Sequence, residues 1–361
     1  MKYVIREERS VKFLAPDIEV YGSIYSAPVF YNPAMEKNRT LSVLLLKAFG
    51  ELHGAGLTVC EPLSGTGVRG IRYAVESGVV GRLILNDVSK EAVEIIKKNL
   101  NLNGVDAEVY NEDANVLLHR MKGRCDVVDI DPFGSPAPFI HASFRALRDG
   151  GLLCATATDA AVLVGKYSRK CLRRYGSVIR KTPFYIELGL RNLLGFIARV
   201  AATEDFGVTP LFSYWEGHYF RTCMLVNKGA RDADDVLNYV KHIEYKKGFR
   251  RVVARPTENS SGPLWVGPLG DPHTTHIMSN YGPYSQFLKT LEEEYSIDVP
   301  WFYRTVEFAT EGKSFTLTQM LQKLKTAGVY ATKTHMAHDG FKSEEPYGAL
   351  AVFLKRQPSL E

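Results

Sequence analysis

Two acids stand at alternate positions where an apolar, β-branched run ends: Val127-Val128-Asp129-Ile130-Asp131, followed by Pro132-Phe133-Gly134-Ser135-Pro136-Ala137-Pro138. Residues two apart on a strand share a face, so Asp129 and Asp131 are expected to point together. The prolines and Gly134 forbid further pairing and leave a stiff, extended loop at the strand's end. A carboxylate that accepts N–H bonds, a rigid backbone turn and the Phe133 ring together suit a flat, nitrogen-bearing ligand. The plain alternative is a buried strand whose last acid caps a helix.

The acids need a scaffold, and the flanking sequence supplies one. Leu57-Thr58-Val59-Cys60 reads as a buried strand, followed by Glu61-Pro62-Leu63-Ser64-Gly65-Thr66-Gly67 and a helix over 68–76. Gly65 and Gly67 let backbone approach a ligand closely where that helix begins. A second strand ends at Asp87, about 20 residues past the glycines, where an acid hydrogen-bonds a ribose in doubly wound folds. The helix over 89–101 puts Val93, Ile96 and Leu100 on one face. A third strand, 107–110, leads into Asn111-Glu112-Asp113-Ala114. There Asp113 either accepts from the exocyclic amine of adenine or caps the next helix. The acidic stretch is strand four; a helix over 139–147, Gly150-Gly151 and a strand over 152–158 follow. Five βα units in this order predict an α/β fold, a Rossmann-like doubly wound sheet with ligands at the carboxyl ends of its strands.

Residues 1–40 show no periodicity and read as an N-terminal extension. Phe30-Tyr31-Asn32-Pro33 and Asn38-Arg39-Thr40 read as a loop entering a helix over 41–52 with Thr40 as its cap. Arg39 at that junction would meet a ligand carboxylate, or simply be solvated. From 166 to 181 the chain carries Lys166, Arg169, Lys170, Arg173, Arg174, Arg180 and Lys181 and no acid. A solvated face mixes signs, so this run suggests a phosphate-binding surface. A last sheet strand is expected over 219–226, and Lys228-Gly229-Ala230-Arg231-Asp232 separates domains 1–228 and 229–361. The second, smaller domain reads as α+β. It holds another basic and aromatic block, with Tyr245, Lys246, Lys247, Phe249, Arg250, Arg251 and Arg255, then a Gly/Pro-rich loop over 260–270. Helical patterns over 284–295, 300–309 and 317–326, with a strand-like 347–354, suggest a winged-helix-like end.

A net charge of +5, 45% hydrophobic and 24% charged residues are those of an ordinary soluble protein and compatible with a polyanionic partner. No apolar run approaches a membrane span, and the charged start does not read as a signal peptide. Five cysteines without a close pair argue against a disulfide framework and a Cys-based zinc site, and for a reducing, cytoplasmic setting. His273 and His276 lack a third ligand, so no metal is expected there.

Two cofactor classes fit such a sheet. A nicotinamide dehydrogenase would carry a full Gly-x-Gly-x-x-Gly loop and a catalytic His or Lys in its second domain. Here Glu61 precedes the glycines, strand three ends in Asp113-Ala114, and strand four ends in Asp131-Pro132-Phe133-Gly134. This pattern resembles the class I S-adenosylmethionine-dependent methyltransferases, in which a related tetrapeptide marks enzymes that methylate an exocyclic or amide nitrogen. A nucleobase amine is a poor nucleophile because its lone pair is delocalised into the ring. Asp131 and the Pro132 carbonyl, accepting its two N–H bonds, would localise that pair, while Phe133 stacks on the base. Asp129 would orient the loop, assist, or cap the strand end.

The longer string Asp129-Ile130-Asp131-Pro132-Phe133-Gly134-Ser135-Pro136 narrows the resemblance. Taken with Phe30-Tyr31-Asn32-Pro33, Asn38-Arg39, Tyr175-Gly176, Glu187-Leu188-Gly189-Leu190-Arg191, Gly262-Pro263-Leu264-Trp265 and Lys333-Thr334-His335, it is similar to the tRNA (guanine-26, N2)-dimethyltransferase family. The matches run over nearly the whole chain. The resemblance implies two successive methyl transfers to the guanine amine at position 26, with S-adenosylmethionine bound by Arg39, Arg69, Asp87, Asp113 and Ala114 beside Glu61, Gly65 and Gly67. It implies tRNA gripped by basic residues, for which Lys166, Arg169, Lys170, Arg173, Arg174, Lys246, Lys247 and Arg250 are the candidates. No membrane and no required protein partner are expected, and a monomer is favoured over an oligomer. Many members carry a four-cysteine zinc site around 255–262; this chain has no cysteine after Cys223, so no zinc is expected. Lys333 stands where arginine is common. The alternatives are an N-methyltransferase for another amine (ribosomal RNA guanine, DNA adenine or a protein amide), a non-catalytic RNA-binding protein with a vestigial fold, and a dehydrogenase.

Overall fold

Continuous apolar runs bounded by glycine and proline form strands buried on both faces, as parallel sheets require. The computed structural model describes residues 3–309 and 315–355. Its first nine strands are β1 (Tyr3–Glu8), β2 (Val11–Pro16), β3 (Leu57–Glu61), β4 (Val80–Asn86), β5 (Glu108–Tyr110), β6 (Cys125–Ile130), β7 (Leu147–Ala157), β8 (Phe206–Glu216) and β9 (Tyr219–Lys228). Seven of these share one sheet in the order β5-β4-β3-β6-β7-β9-β8. The pairs β3·β4, β4·β5, β3·β6 and β6·β7 are parallel. The chain builds outward from β3 to β5, then crosses back to lay β6 on the other side of β3. That reversal opens a crevice at the carboxyl ends of β3 and β6, the place where open α/β sheets bind ligands. Glu61, Asp129 and Asp131 all lie at those two strand ends.

The Val68–Glu76 helix packs hard against this sheet because Gly70 has no side chain: a Cβ there would sit 2.4 Å from Leu85 Cδ2 and 3.3 Å from Leu83 Cδ1. Gly67, with φ 76°, makes the turn into the helix. The glycine spacing is therefore longer than the two-glycine turn read from the sequence. Gly65, Gly67 and Gly70 complete Gly-x-Gly-x-x-Gly, so the loop itself does not distinguish one nucleotide-binding class from another.

Several elements differ from expectation. Residues 3–16, read as aperiodic, form a β1–β2 hairpin with Glu8 opposite Val11. Its turn is Arg9-Ser10, with Arg9 at φ 51°, lacking the Asn-Gly or Asp-Gly signal that marks such turns. The helix expected over 41–52 is Glu36–His53, preceded by a single turn Pro33–Met35 that Asn32 caps. Arg39 thus lies in the first turn of the helix, and Thr40 is not its cap. Cys154 and Cys223, on β7 and β9, are joined in a disulfide. Residues 69 apart in sequence meet on neighbouring strands, so cysteine spacing does not bear on the redox setting here.

The chain divides into two compact units, Met1–Thr156 with Cys223–Lys228, and Ala157–Thr222 with Gly229–Glu361. Lys228-Gly229 is an edge of both; the edges after Thr156 and Thr222 fall inside regular structure and have no linker composition to betray them. The second unit contains the helices Ser168–Tyr175 and Tyr185–Thr203 and two small sheets. One is built from β10 (Val240–Lys246), β11 (Phe249–Val253) and β12 (Ser260–Trp265), in the order β11-β10-β12. The other is built from β13 (Tyr303–Arg304), β14 (Thr332–Lys333) and β15 (Gly340–Lys342), in the order β13-β15-β14. The expected loop at 260–270 therefore begins as a strand, and the expected helix at 300–309 is a short strand with a single turn, Thr305–Phe308. Residues 347–354 are helical rather than extended. Leu350 and Leu354, four apart, enter one core with Met320, Leu324 and Phe341 while Val352 stays exposed, which is a helical period. This arrangement replaces the winged-helix-like reading.

Candidate active site at the carboxyl ends of β3 and β6

Arg69, in the first turn of Val68–Glu76, is the centre of the crevice. Its Nη2 bonds Asp131, its Nη1 lies 3.7 Å from Asp129 and donates to Ser42 Oγ at 3.0 Å, and its Nε lies 3.4 Å from Glu61. Asp129 is fully buried and accepts from Tyr73 Oη at 2.5 Å. Asp131 is 18% exposed, and Arg69 engages only its Oδ2. The alternation read from the sequence thus holds: the two acids share a face, but Asp129 points into packed protein and Asp131 toward solvent. Burial works against the Arg69 charge, yet Asp131 and Asp129 hold the guanidinium firmly protonated. For Glu61 the balance goes the other way. Burial, with Asp129 and Asp131 adding repulsion, pushes its carboxyl up to about 8 in spite of Arg69.

Beside this cluster lies a cavity of about 300 Å³, lined by residues including Tyr25, Val29, Phe30, Asp87, Ser89 and Phe133. Phe133 is 72% exposed and meets Tyr25 and Phe30 edge-on, with ring centroids 5.5 and 5.7 Å away. An exposed aromatic trio gains little from packing and offers a face to a planar ligand. Tyr25 has no counterpart in the sequence reading, because nothing in an aperiodic loop signals that it reaches the Pro132–Gly134 turn.

Asp87 accepts from the Gly65 N–H (2.9 Å) and the Ser89 N–H (2.9 Å), tying the glycine loop to the start of Lys90–Asn103. Its burial raises the carboxyl above the ordinary range. The Phe30 carbonyl closes over the same loop: a Cβ at Gly65 would sit 2.8 Å from that oxygen. Asp113 caps Ala114–Arg120 by accepting from the Asn115 and Val116 N–H groups, and Ala114 is buried behind it. The capping reading of Asp113 is the one observed. Arg39 sits differently from expectation. It is buried, and the carboxylate it meets is that of Glu8, reached by Nε at 2.8 Å and by Nη2. Glu8 also accepts from Tyr31 Oη at 2.8 Å and Arg72 Nη1 at 3.3 Å. Burial alone would raise the Glu8 carboxyl, but Arg39, Tyr31 and Arg72 bring it below the ordinary range.

Of the basic candidates, Lys166, Arg169, Lys170, Arg173, Lys246 and Lys247 are exposed. Arg174 is paired with Asp159 at 2.9 Å. Arg250 is a correction. Its side chain is 1% exposed, bonded through Nη2 to both oxygens of Glu307, with Tyr303, Phe184 and Tyr245 ring centroids 4.2, 5.0 and 5.5 Å from its Cζ. Sequence spacing put it among surface cations; the alternation of β11 turns it inward, opposite Tyr245.

The model of a protein family described as N2,N2-dimethylguanosine tRNA methyltransferase matches residues 9–355. The chain belongs to this family. A tRNA (guanine(26)-N(2))-dimethyltransferase of Pyrobaculum aerophilum is 70% identical over 98% of this chain and 96% of its own length. One of Thermococcus kodakarensis is 37% identical over 98% and 100%. A solved structure of Trm1 from Pyrococcus horikoshii in complex with S-adenosyl-L-methionine is similar at a TM-score of 0.88 and 31% identity, over 97% of this chain and 99% of that one.

Three of the strings in the second unit that carry the family resemblance, those at 187–191, 262–265 and 333–335, contribute to one buried polar network joined through Lys342, 4.0 Å from Glu294. Glu187 Oε1 accepts from Arg191 Nε (3.0 Å) and Nη2 (2.8 Å) and from Lys342 Nζ (2.8 Å), and Arg191 Nη1 donates to the Trp265 and Gly267 carbonyls. Glu294 accepts from Thr334 Oγ1 (2.8 Å), the His335 N–H (3.1 Å) and His335 Nδ1 (2.6 Å). The Trp215 N–H can only donate, and at 3.1 Å it assigns His335 Nε2 as acceptor, leaving the proton on Nδ1. Burial alone would raise Glu294, but His335, Lys342 and Thr334 hold it down at about 2. These family positions serve the interior of the second unit.

Proposed function

We infer that this chain methylates tRNA, transferring two methyl groups in succession from S-adenosylmethionine to the N2 amine of guanine 26. The observation that carries the reading is Asp131. It is a carboxylate at the sheet's reversal point with one oxygen anchored by Arg69 and the other without a partner among the described residues, next to an exposed ring and a cavity. Family membership and the relatives' names support the tRNA substrate.

The residues present fit the donor. Asp87, an acid at the end of β4, lines the cavity together with apolar side chains, and by accepting from the Gly65 N–H it holds the glycine loop beside the cavity wall. Asp87 would accept from ribose hydroxyls, Gly65 and Gly67 give backbone access, and Asp113-Ala114 would border the adenine. When bound, S-adenosylmethionine supplies an electrophilic methyl group on a sulfonium.

The chain's own groups do the rest. In the first transfer Asp131 Oδ1 accepts one N–H of the guanine amine and the Pro132 carbonyl the other, which draws the lone pair out of ring conjugation and aims it; in the second, the one N–H that is left bonds Asp131. As the N–C bond forms, Asp131 takes the proton the nitrogen sheds. Arg69 fixes the carboxylate so that little reorganisation is needed. Phe133, with Phe30 and Tyr25, offers stacking to a base flipped out of the tRNA fold, offsetting an unstacking cost of a few kcal/mol. The cluster and the cavity come from one compact unit, which supports a chain acting as a monomer without a protein partner, and a tRNA substrate supports the cytoplasm as its setting. Among the described residues no helix is long and apolar enough to cross a membrane.

Incubation with a tRNA transcript and S-adenosylmethionine, followed by nuclease digestion and mass spectrometry, should yield N2,N2-dimethylguanosine. A transcript with adenosine at position 26 should yield none. Absence of the product from protein that binds S-adenosylhomocysteine would overturn the reading.

A further inference from the structure

The two basic blocks are some seventy positions apart in sequence, yet backbone pairing inside the second compact unit carries one to the other. Val178 and Gly262 form an antiparallel bridge, with N–H···O bonds of 3.0 and 2.8 Å in the two directions. The Arg180 N–H then donates to Ser261 Oγ at 2.8 Å. On its other side β12 pairs with β10, with Ile243 opposite Ser261 and Glu244 opposite Ser260. A few residues on, the Phe184 ring meets Tyr245 edge-on at 5.6 Å. Arg180 and Lys181 are thus held between two anchors that lead toward Tyr245, and Lys246-Lys247 follow Tyr245 directly as β10 turns into β11. With strands about 4.8 Å apart and about 3.4 Å per residue, the Arg180 and Lys246 backbones lie roughly 12 Å from each other.

All four of these cations are exposed, and none takes part in an ion pair among the described residues. The nearby acids on the sheet are engaged: Glu244 accepts from Arg251 and Thr257, and Glu307 from Arg250. Glu258, in the loop before β12, and Glu344, three residues before the Tyr347 ring that packs at Gly248, are exposed acids. The result is a ledge of positive charge without a close ion pair, at one end of a small sheet, where Lys246 feels the Glu244 carboxylate that Arg251 already engages.

We propose that Arg180, Lys181, Lys246 and Lys247 form a single ledge that binds the phosphate backbone of tRNA. The proposal rests on the tRNA methyltransferase reading and deepens it. It joins Arg180 and Lys181 of the first basic run to Lys246 and Lys247 of the second, excludes Arg250, and assigns the ledge to sequence-independent grip, since contacts to phosphate position an RNA without reading its bases.

The test compares Arg180→Ala/Lys181→Ala, Lys246→Ala/Lys247→Ala and the quadruple variant with Lys97→Ala/Lys98→Ala, an exposed pair on the Lys90–Asn103 helix. Binding of a tRNA transcript is measured by filter retention across a salt series, and binding of S-adenosylhomocysteine by calorimetry. Each ledge pair should weaken tRNA binding and lower the log–log salt slope by roughly one per cation removed, with the quadruple variant losing about the sum. The Lys97/Lys98 pair should leave the slope in place, and S-adenosylhomocysteine affinity should be unchanged throughout. An unchanged slope in the ledge variants, or an equal loss in the Lys97/Lys98 pair, overturns the ledge. Wild-type protein that binds S-adenosylhomocysteine but no tRNA overturns the substrate reading instead.

Discussion

Arg69 and Asp131 clasp each other at the mouth of the crevice, and the clasp uses only one of the two carboxylate oxygens. Asp131→Ala should therefore cut kcat by roughly 10²–10⁴-fold, the usual weight of a general base. Arg69 keeps the buried Asp129 carboxylate as a counter-charge, so S-adenosylhomocysteine should bind the variant nearly as well as wild type. Single-turnover methylation with calorimetry separates the two effects; a variant with near-normal kcat would remove Asp131 from the chemistry.

Asp129 is fully buried and accepts from the Tyr73 hydroxyl, and we propose that it supports the strand end rather than reacting. Tyr73→Phe leaves that carboxylate short of a donor. Denaturant unfolding should show a loss of about 1–3 kcal/mol, while methyl transfer by the folded variant stays near the wild-type rate. A collapse of kcat without loss of stability would give Asp129 a part in the reaction.

Glu61 makes the first unit's stability depend on pH in an unusual direction. Its folded-state carboxyl titrates at about 8, above the ordinary carboxylate range, so between these limits the folded protein holds a proton that the unfolded chain has released. The folded state is then favoured at low pH, and stability should fall as pH rises through that window. The slope is at most about 1.4 kcal/mol per pH unit. Glu61→Gln should flatten it, as measured by unfolding of the ligand-free protein at a series of pH values. An equal slope in the variant would refute the assignment.

Arg250 is enclosed by three rings and Glu307, so its removal leaves a mostly buried carboxylate with the Arg304 N–H but no cation. Arg250→Ala should lower unfolding free energy by about 3–5 kcal/mol, and the fraction that remains folded should bind tRNA with the wild-type salt slope. A reduced slope would return Arg250 to the RNA surface.

Much of this was open to reading before any coordinates. The βα succession, the crevice, the pairing of Asp129 with Asp131 on one face and the place of Asp87 follow from strand period and glycine position, which are local properties. The partners of Arg39 and Arg69 were not open to it. Glu8 sits in a hairpin whose Arg9-Ser10 turn lacks the usual signal, and Arg69 meets Asp131 from 62 residues away. Arg250 shows the same limit from the other side. A cation in a basic block looks solvated until the strand's alternation is known, and the one-residue step between Arg250 and Arg251 separates an enclosed ion pair from a 57% exposed side chain.

The Tyr3–Pro16 hairpin leaves the ribosome well before its partners. Glu8 waits 64 residues for Arg72, Leu14 waits 85 for the Asn99 side chain, and Lys12 waits 91 for that of Asn103. At about 5–20 residues per second, its buried charge and edge amides stay in water for several seconds of synthesis. During that interval the nascent chain shows its surroundings an unfinished two-stranded ribbon, and Arg39 and Arg72 lack the Glu8 counter-charge until the ribbon docks.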